Sequence, residues 1–227
     1  MSREVHVGVL ASGRGSNFEA LWAAQEAGTL GARIVCVLSD NPEARALERA
    51  RELGLSTCLV DAGARRGQLS QAAQEEIVAF LHAQRVDLVC LAGFMRIVGR
   101  TILAAFPAAI LNVHPSLLPS FPGLEAQRQA LHYGVGVSGC TVHFVDAGVD
   151  TGPIIAQASV PVLPEDSVET LAARILEQEH RIYPLAVRAW AEGGLQTHGR
   201  RVHDASAAHP TRDIDRGNHH SNVEARS

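Results

Sequence analysis

Asn112 and His114 stand two residues apart where the apolar run 109–113 ends, and side chains two apart on a strand project to the same side. At the carboxyl end of a strand in an open α/β sheet, such a pair faces the ligand cleft. An asparagine amide can donate to a developing oxyanion, and a histidine can move a proton near neutral pH. Asp150, in the turn Asp146-Ala147-Gly148-Val149-Asp150-Thr151-Gly152-Pro153, is the carboxylate that could pair with that imidazole and raise its pKa. Between them, Pro115, Pro119 and Pro122 forbid regular structure and make the segment after His114 a shaped loop. Each residue also has a plainer reading: Asn112 capping a loop, His114 a satisfied core histidine, Asp150 a turn former. Spacing alone leaves both readings open.

A second segment with chemical potential follows the first apolar run. Ala11-Ser12-Gly13-Arg14-Gly15-Ser16-Asn17 leads into a helix, so backbone N–H groups and a helix N-terminus would meet an anion there. Gly13 and Gly15 fit the dinucleotide fingerprint, but Phe18 occupies its third glycine position, and a single phosphate suits the loop better than NAD or FAD. The competing reading is a tight turn with Asn17 as N-cap and no ligand. Arg96 either meets a carboxylate or stays solvated at a loop edge, and His143, in the strand before Asp150, either lines the site or is structural.

Composition excludes several classes. The chain has 227 residues, 46% hydrophobic and 19% charged, which suits one globular unit with a sizeable core. Net charge is -4 and all 20 basic residues are arginine, so a lysine Schiff base, a Walker lysine and a basic tract for nucleic acid or membrane are all missing. Cys36, Cys58, Cys90 and Cys140 are scattered in apolar surroundings and read as buried free thiols, not a zinc site. Residues 1–6 carry no apolar leader and no run reaches the ~20 apolar residues of a membrane span, so a cytoplasmic protein is expected.

The elements that must hold these residues follow from periodicity. Apolar, β-branched runs at 5–10, 32–38, 56–60 and 88–92 alternate with helical patterns at 18–27, 43–53 and 69–84, with Gly28 and Gly54 at C-terminal cap positions. The pattern predicts a Rossmann-like α/β open twisted sheet, parallel in its N-terminal half and covered by helices on both faces. Strands at 109–113, 138–145 and 154–160 make the C-terminal half mixed in direction, and a long amphipathic helix at 168–190 closes the domain. The expected domain is 4–202, divided into a nucleotide- and phosphate-binding half (4–106) and a catalytic and folate half (107–202). Residues 203–227 read as a polar, disordered tail whose histidines, His219 and His220 among them, are solvated rather than metal ligands.

Three segments carry a family resemblance: Leu91-Ala92-Gly93-Phe94-Met95-Arg96-Ile97, Asn112-Val113-His114-Pro115-Ser116-Leu117-Leu118-Pro119 and Asp150-Thr151-Gly152-Pro153-Ile154-Ile155. In this order they resemble the formyl-tetrahydrofolate transferase family. The glycine loop and Gln178-Glu179-His180-Arg181-Ile182-Tyr183-Pro184 are similar to its branch acting on glycinamide ribonucleotide, over roughly residues 5–200. The resemblance implies transfer of a formyl group from the co-substrate 10-formyltetrahydrofolate to the amine of glycinamide ribonucleotide in purine biosynthesis, without a metal. By carry-over, Gly15, Ser16 and Asn17 hold the substrate phosphate and Glu179 meets its ribose or amine side. Leu91, Met95, Arg96, Ile97, Val98 and Asn112 line the folate, and Asn112, His114 and Asp150 are catalytic. In the implied mechanism the amine attacks the formyl carbon, Asn112 and a protonated His114 stabilise the oxyanion, and Asp150 keeps His114 charged and accepts the amine proton. The partners implied are small molecules, with neither nucleic acid nor membrane, and a homodimer is left open.

The sequence departs from the family pattern in two places. An arginine that opens the third helix in relatives and anchors a ligand is replaced by Ala64-Arg65-Arg66-Gly67, leaving open whether Arg65 or Arg66 substitutes; Ser120 stands where relatives often carry lysine. Alternatives are a formyltetrahydrofolate hydrolase, expected to carry an extra regulatory domain, and a methionyl-tRNA formyltransferase, expected to carry a further domain and basic surface. A catalytically idle sensor and an NAD-dependent oxidoreductase are more distant.

Overall fold

A computed structural model describes residues 3–65 and 67–204. In chain order its elements are β1 (His6–Leu10), α1 (Ser16–Glu26), β2 (Arg33–Ser39), α2 (Arg45–Glu52), β3 (Ser56–Leu59), α3 (Gln71–Ala83), β4 (Leu88–Leu91), α4 (Arg100–Ala105), β5 (Ile110–His114), α5 (Ala126–Tyr133), β6 (Val137–Phe144), β7 (Ile154–Pro161), α6 (Val168–Ala191), β8 (Leu195–His198) and β9 (Arg201–Asp204). One nine-stranded sheet runs in the order β3-β2-β1-β4-β5-β6-β7-β9-β8. Pairings from β3 through β5 are parallel, whereas β5–β6 and β6–β7 are antiparallel. The expected α/β open sheet with a parallel first half and mixed second half is therefore observed, and the sheet is continuous across residues 106 and 107.

Strand order decides where a ligand can sit. The chain leaves β1 toward β2 on one side and returns through α3 to β4 on the other, which opens a crevice at the carboxyl ends of β1 and β4. Both sheet faces are covered. On one, Val7, Val9, Leu88, Cys90 and Leu111 pack with Phe18, Leu21, Leu47, Ile175 and Tyr183 from α1, α2 and α6. On the other, Leu10, Cys36, Leu38 and Val89 pack with Ile77, Leu81 and Ile102 from α3 and α4. Burying apolar side chains at about 25 cal/mol per Å² is the main stabilising contribution to such a sandwich.

Helix starts moved where side chains cap. Asn41 Oδ1 accepts the Glu43 N–H at 3.1 Å in a turn, delaying α2 to Arg45, and Ser70 caps α3 through a 3.1 Å bond from the Ala73 N–H. The short α4 and α5 and the β8–β9 hairpin were not anticipated. β9 extends through Asp204, so the boundary expected at 202 falls inside a strand. Arg66, His219, His220 and the expected tail from 205 onward lie outside the described residues. The free thiols of Cys36, Cys90 and Cys140 are buried, but Cys58, on the outermost strand β3, is only half-buried. Among the described residues no helix is long and apolar enough to cross a membrane.

Candidate active site

β5 delivers Asn112 and His114 to the carboxyl edge of the sheet, and the proline-rich segment after it folds back over them. Thr141 on β6 fastens that segment: its hydroxyl donates to the Ser116 carbonyl at 2.7 Å and accepts from the Leu118 N–H at 3.0 Å. Gln157 on β7 donates to the Leu118 carbonyl at 2.9 Å. So held, the loop brings the Phe121 carbonyl to 2.9 Å from His114 Nε2 and leaves His114 only 5% exposed. Nε2, facing a carbonyl oxygen, donates to it, and Nδ1 is turned toward Asp150, 3.3 Å from its Oδ2.

Asp150 reaches this position from the turn between β6 and β7, with a left-handed backbone (φ 53). The turn closes tightly because position 152 is glycine: a Cβ there would sit 1.7 Å from the Phe144 carbonyl oxygen. Gly123 N–H donates to Asp150 Oδ2 at 2.8 Å and the Asn112 amide donates to Oδ1 at 3.4 Å. Asn112, His114 and Asp150 thus form one cluster. His143, opposite Asn112 in the β5–β6 register, completes it: its Nδ1 donates to the Phe144 carbonyl at 2.8 Å, and Nε2 lies 3.2 Å from the Asn112 amide nitrogen and 3.6 Å from Asp150 Oδ1. Of the two readings for His143, lining the site is the one observed.

Burial and charge act against each other at His114. Burial pushes the His114 pKa below its ordinary 6.5; the Phe121 carbonyl and the Asp150 charge oppose this without overcoming it, and His143 adds to the lowering. The covering loop removes water from the ring and so works against the protonated form of His114, while the Asp150 carboxylate favours it. Burial works to raise the Asp150 carboxyl, yet the His143 side chain, the Gly123 N–H and the His114 ring outweigh it and hold its pKa below the ordinary 3.8.

On the glycine-loop side, Gly15 occupies the N-cap of α1 in the left-handed conformation (φ 79), with a built Cβ only 2.9 Å from Ala46 Cβ. Asn17 is consequently not the N-cap. It lies inside the first turn, buried, and its amide donates to Glu179 Oε2 at 2.7 Å. The Asn17 Oδ1 atom is buried without a partner. Burial pushes the Glu179 carboxyl up, and the Asn17 bond offsets this only in part. The first-turn N–H groups of Gly15, Ser16 and Asn17 are the kind of donors that receive a phosphate.

The segment 92–98 follows β4. Met95 and Ile97 are 57% and 45% exposed, but Val98 is buried and packs in the α3–α4 core, so it has only backbone to offer a ligand. The Arg96 guanidinium is also engaged, with Nε 2.6 Å from Asp40 Oδ2; of the readings for Arg96, the carboxylate partner is the one realised. Leu91 is buried, and its carbonyl shares the Tyr183 O–H with that of Leu111, at 3.0 and 3.1 Å. Tyr183 and Glu179 lie one turn apart on α6, which makes that helix the strut beneath the glycine loop, β4 and β5. Gly67 and Gln68 meet segment 92–98, where the Ile97 N–H donates to the Gly67 carbonyl at 2.9 Å and Gln68 bridges Ile97; Arg65 precedes them in the chain. Among the described residues no group of three or more His, Cys, Asp or Glu is placed to hold a metal ion.

Sequence reasoning passed over Ser12, Asp40 and Tyr183. Ser12 and Asp40 did carry one signal, since Asp40 directly follows β2 and Ser12 stands two residues past β1, at strand ends that point at the cleft.

An anion-ready helix start and an Asn, His and Asp cluster share one sheet edge, the arrangement of an enzyme that acts on an anionic small molecule. The chain belongs to the formyl transferase family, whose sequence pattern matches residues 5–187. It is 39% identical to phosphoribosylglycinamide formyltransferase of Bacillus subtilis, over 86% of this chain and 97% of that one. The crystal structure of glycinamide ribonucleotide transformylase 1 from Symbiobacterium toebii is similar with a TM-score of 0.85 and 52% identity, over 90% of this chain and 95% of that one. The trifunctional purine biosynthetic protein adenosine-3 of Drosophila melanogaster is 43% identical over 84% of this chain, which spans 14% of that longer protein.

Proposed function

We propose that this protein transfers the formyl group of 10-formyltetrahydrofolate to the amine of glycinamide ribonucleotide, giving formylglycinamide ribonucleotide and tetrahydrofolate in purine biosynthesis. The observation that carries this reading is the Asp150 carboxylate, with Oδ2 3.3 Å from His114 Nδ1 and Oδ1 3.4 Å from the Asn112 amide. In this reading Asn112, His114 and Asp150 are the catalytic residues. Gly15, Ser16 and Asn17 receive the substrate phosphate, and Glu179, with the unpartnered Asn17 Oδ1 beside it, accepts from the N–H or O–H groups of the glycinamide ribose portion.

The folate is bound by Leu91 at the end of β4 and, in segment 92–98, by Met95 and Ile97 and the backbone of Arg96 and Val98. Arg65 or Arg66 takes the place of the anchoring arginine of relatives.

The amine nitrogen bonds to the formyl carbon while the developing oxyanion is met by the Asn112 amide and the His114 Nε2–H, which leaves the Phe121 carbonyl as charge builds. Asp150, ionised at neutral pH, stabilises positive charge on His114 as it forms. The tetrahedral species collapses with cleavage of the bond between carbon and the folate nitrogen. One proton passes overall from the attacking amine through the Asp150–His114 pair to the departing nitrogen. No nucleic acid or membrane takes part, and the cytoplasm suits buried, reduced thiols.

The test is absorbance-monitored tetrahydrofolate release from a 10-formyl donor with and without glycinamide ribonucleotide. Amine-dependent release is expected. Release that ignores the amine would indicate a hydrolase, and binding without release a sensor.

A further inference from the structure

Asp40 follows β2 directly, and its side chain is only 5% exposed. Its two oxygens are used on different loops. Oδ1 accepts the Ser12 hydroxyl at 2.5 Å, from the glycine loop after β1. Oδ2 accepts Arg96 Nε–H at 2.6 Å, from the segment after β4. Ser12 is itself a node: its hydroxyl accepts the Met95 N–H at 2.8 Å, its N–H donates to the Gly93 carbonyl at 3.1 Å, and its carbonyl accepts from the Asn41 amide at 3.0 Å. Three strand ends, those of β1, β2 and β4, are therefore linked through one carboxylate and one hydroxyl.

We propose that Asp40 is a positioning residue that sets the glycine loop and the folate segment relative to each other, so that filling one substrate subsite changes affinity at the other. This rests on the two loops being the phosphate and folate subsites. Asp40 acts through these loops, its two oxygens being taken up by Ser12 and Arg96. It acts because a buried carboxylate with both oxygens engaged resists movement of either partner alone: a shift of Ser12 toward a phosphate strains the bond to Arg96, and a shift of segment 92–98 around a folate strains the bond to Ser12. Coupling of this kind is reciprocal, and coupled sites commonly differ by about 5-fold or more in affinity between the singly and doubly liganded states.

Calorimetric titration of the full chain tests this, with tetrahydrofolate and glycinamide ribonucleotide as probes, each alone and with the other saturating. The native protein is expected to bind both, with a Kd ratio between the two conditions of about 5-fold or more. In Asp40→Ala that ratio should fall to within about 2-fold of unity, and Asp40→Asn, which keeps an acceptor for Ser12 but loses the ion pair, should lie between. Arg96→Met should lose the coupling as Asp40→Ala does. A merely structural role would lower the unfolding temperature and leave the ratio at its native value, and that result overturns the proposal, as does a native ratio of one. Should Asp40→Ala not fold, a native ratio in both Asp40→Asn and Arg96→Met overturns it. Failure of the native protein to bind either probe instead overturns the functional reading beneath it.

Discussion

Asp150 Oδ2 lies 3.3 Å from His114 Nδ1, yet the imidazole is pushed below its ordinary pKa of 6.5. The two facts belong together. The loop that brings the Phe121 carbonyl to Nε2 and the Gly123 N–H to Asp150 also strips water from the ring, and desolvation outweighs the carboxylate. The cluster therefore sets the cost of burying a charged imidazole against a carboxylate that stabilises it, a balance that negative charge forming on the substrate tips toward the charged ring.

Replacing His114 or Asp150 with alanine should lower kcat by ~10²-fold or more, the usual size of an acid-base contribution. Steady-state kinetics beside circular dichroism checks this. Native turnover in either folded variant removes that residue from the catalytic set.

The direction of the His114 shift makes two pH predictions. Above 6.5 the ring is neutral whether folded or unfolded and contributes nothing; as pH falls below 6.5 the unfolded ring takes a proton that the buried one refuses, and stability is lost until the lower folded pKa is reached. His180, also lowered by burial, acts in the same window, whereas Asp150 matters only under its ordinary 3.8. Unfolding temperature should drop between pH 7.5 and 5.5, and less steeply in His114→Asn. The acid limb of kcat/KM should have its midpoint below 6.5, moving lower still for the residual activity of Asp150→Asn, which loses the charge that raises His114.

Gly152→Ala would place a Cβ 1.7 Å from the Phe144 carbonyl oxygen. Relieving this must displace the turn that carries Asp150, so we expect a stability loss of about 1–3 kcal/mol, as in overpacked cores, together with a fall in kcat. Denaturant melts and turnover assays measure both. Full activity at native stability would mean that the turn does not set Asp150.

Glu179→Ala removes the acceptor of the buried Asn17 amide, and an unpaired buried donor costs about 1–3 kcal/mol. The KM for glycinamide ribonucleotide should rise while that for the folate stays near native. Equal rises in both would place Glu179 outside the nucleotide subsite.

Much was legible before any coordinates. Apolar runs alternating with helical patterns, the glycine loop after the first of them and the two-residue spacing of Asn112 and His114 are local properties of the chain, read through periodicities of 2 and 3.6 residues. They determined the sheet's parallel half, the anion-ready helix start and the shared projection of Asn112 with His114. What tertiary structure decided depends on contacts between distant segments. The downward push on the His114 pKa follows from a loop closing over it, which a sequence shows as prolines but not as lost water. Arg96 looked free for a ligand until β2 brought Asp40 to its guanidinium, and Val98 looked available until the α3–α4 core buried it. Strand order, too, was decided there: β4 inserting beside β1 opens the crevice, and neither strand's own residues specify that neighbour.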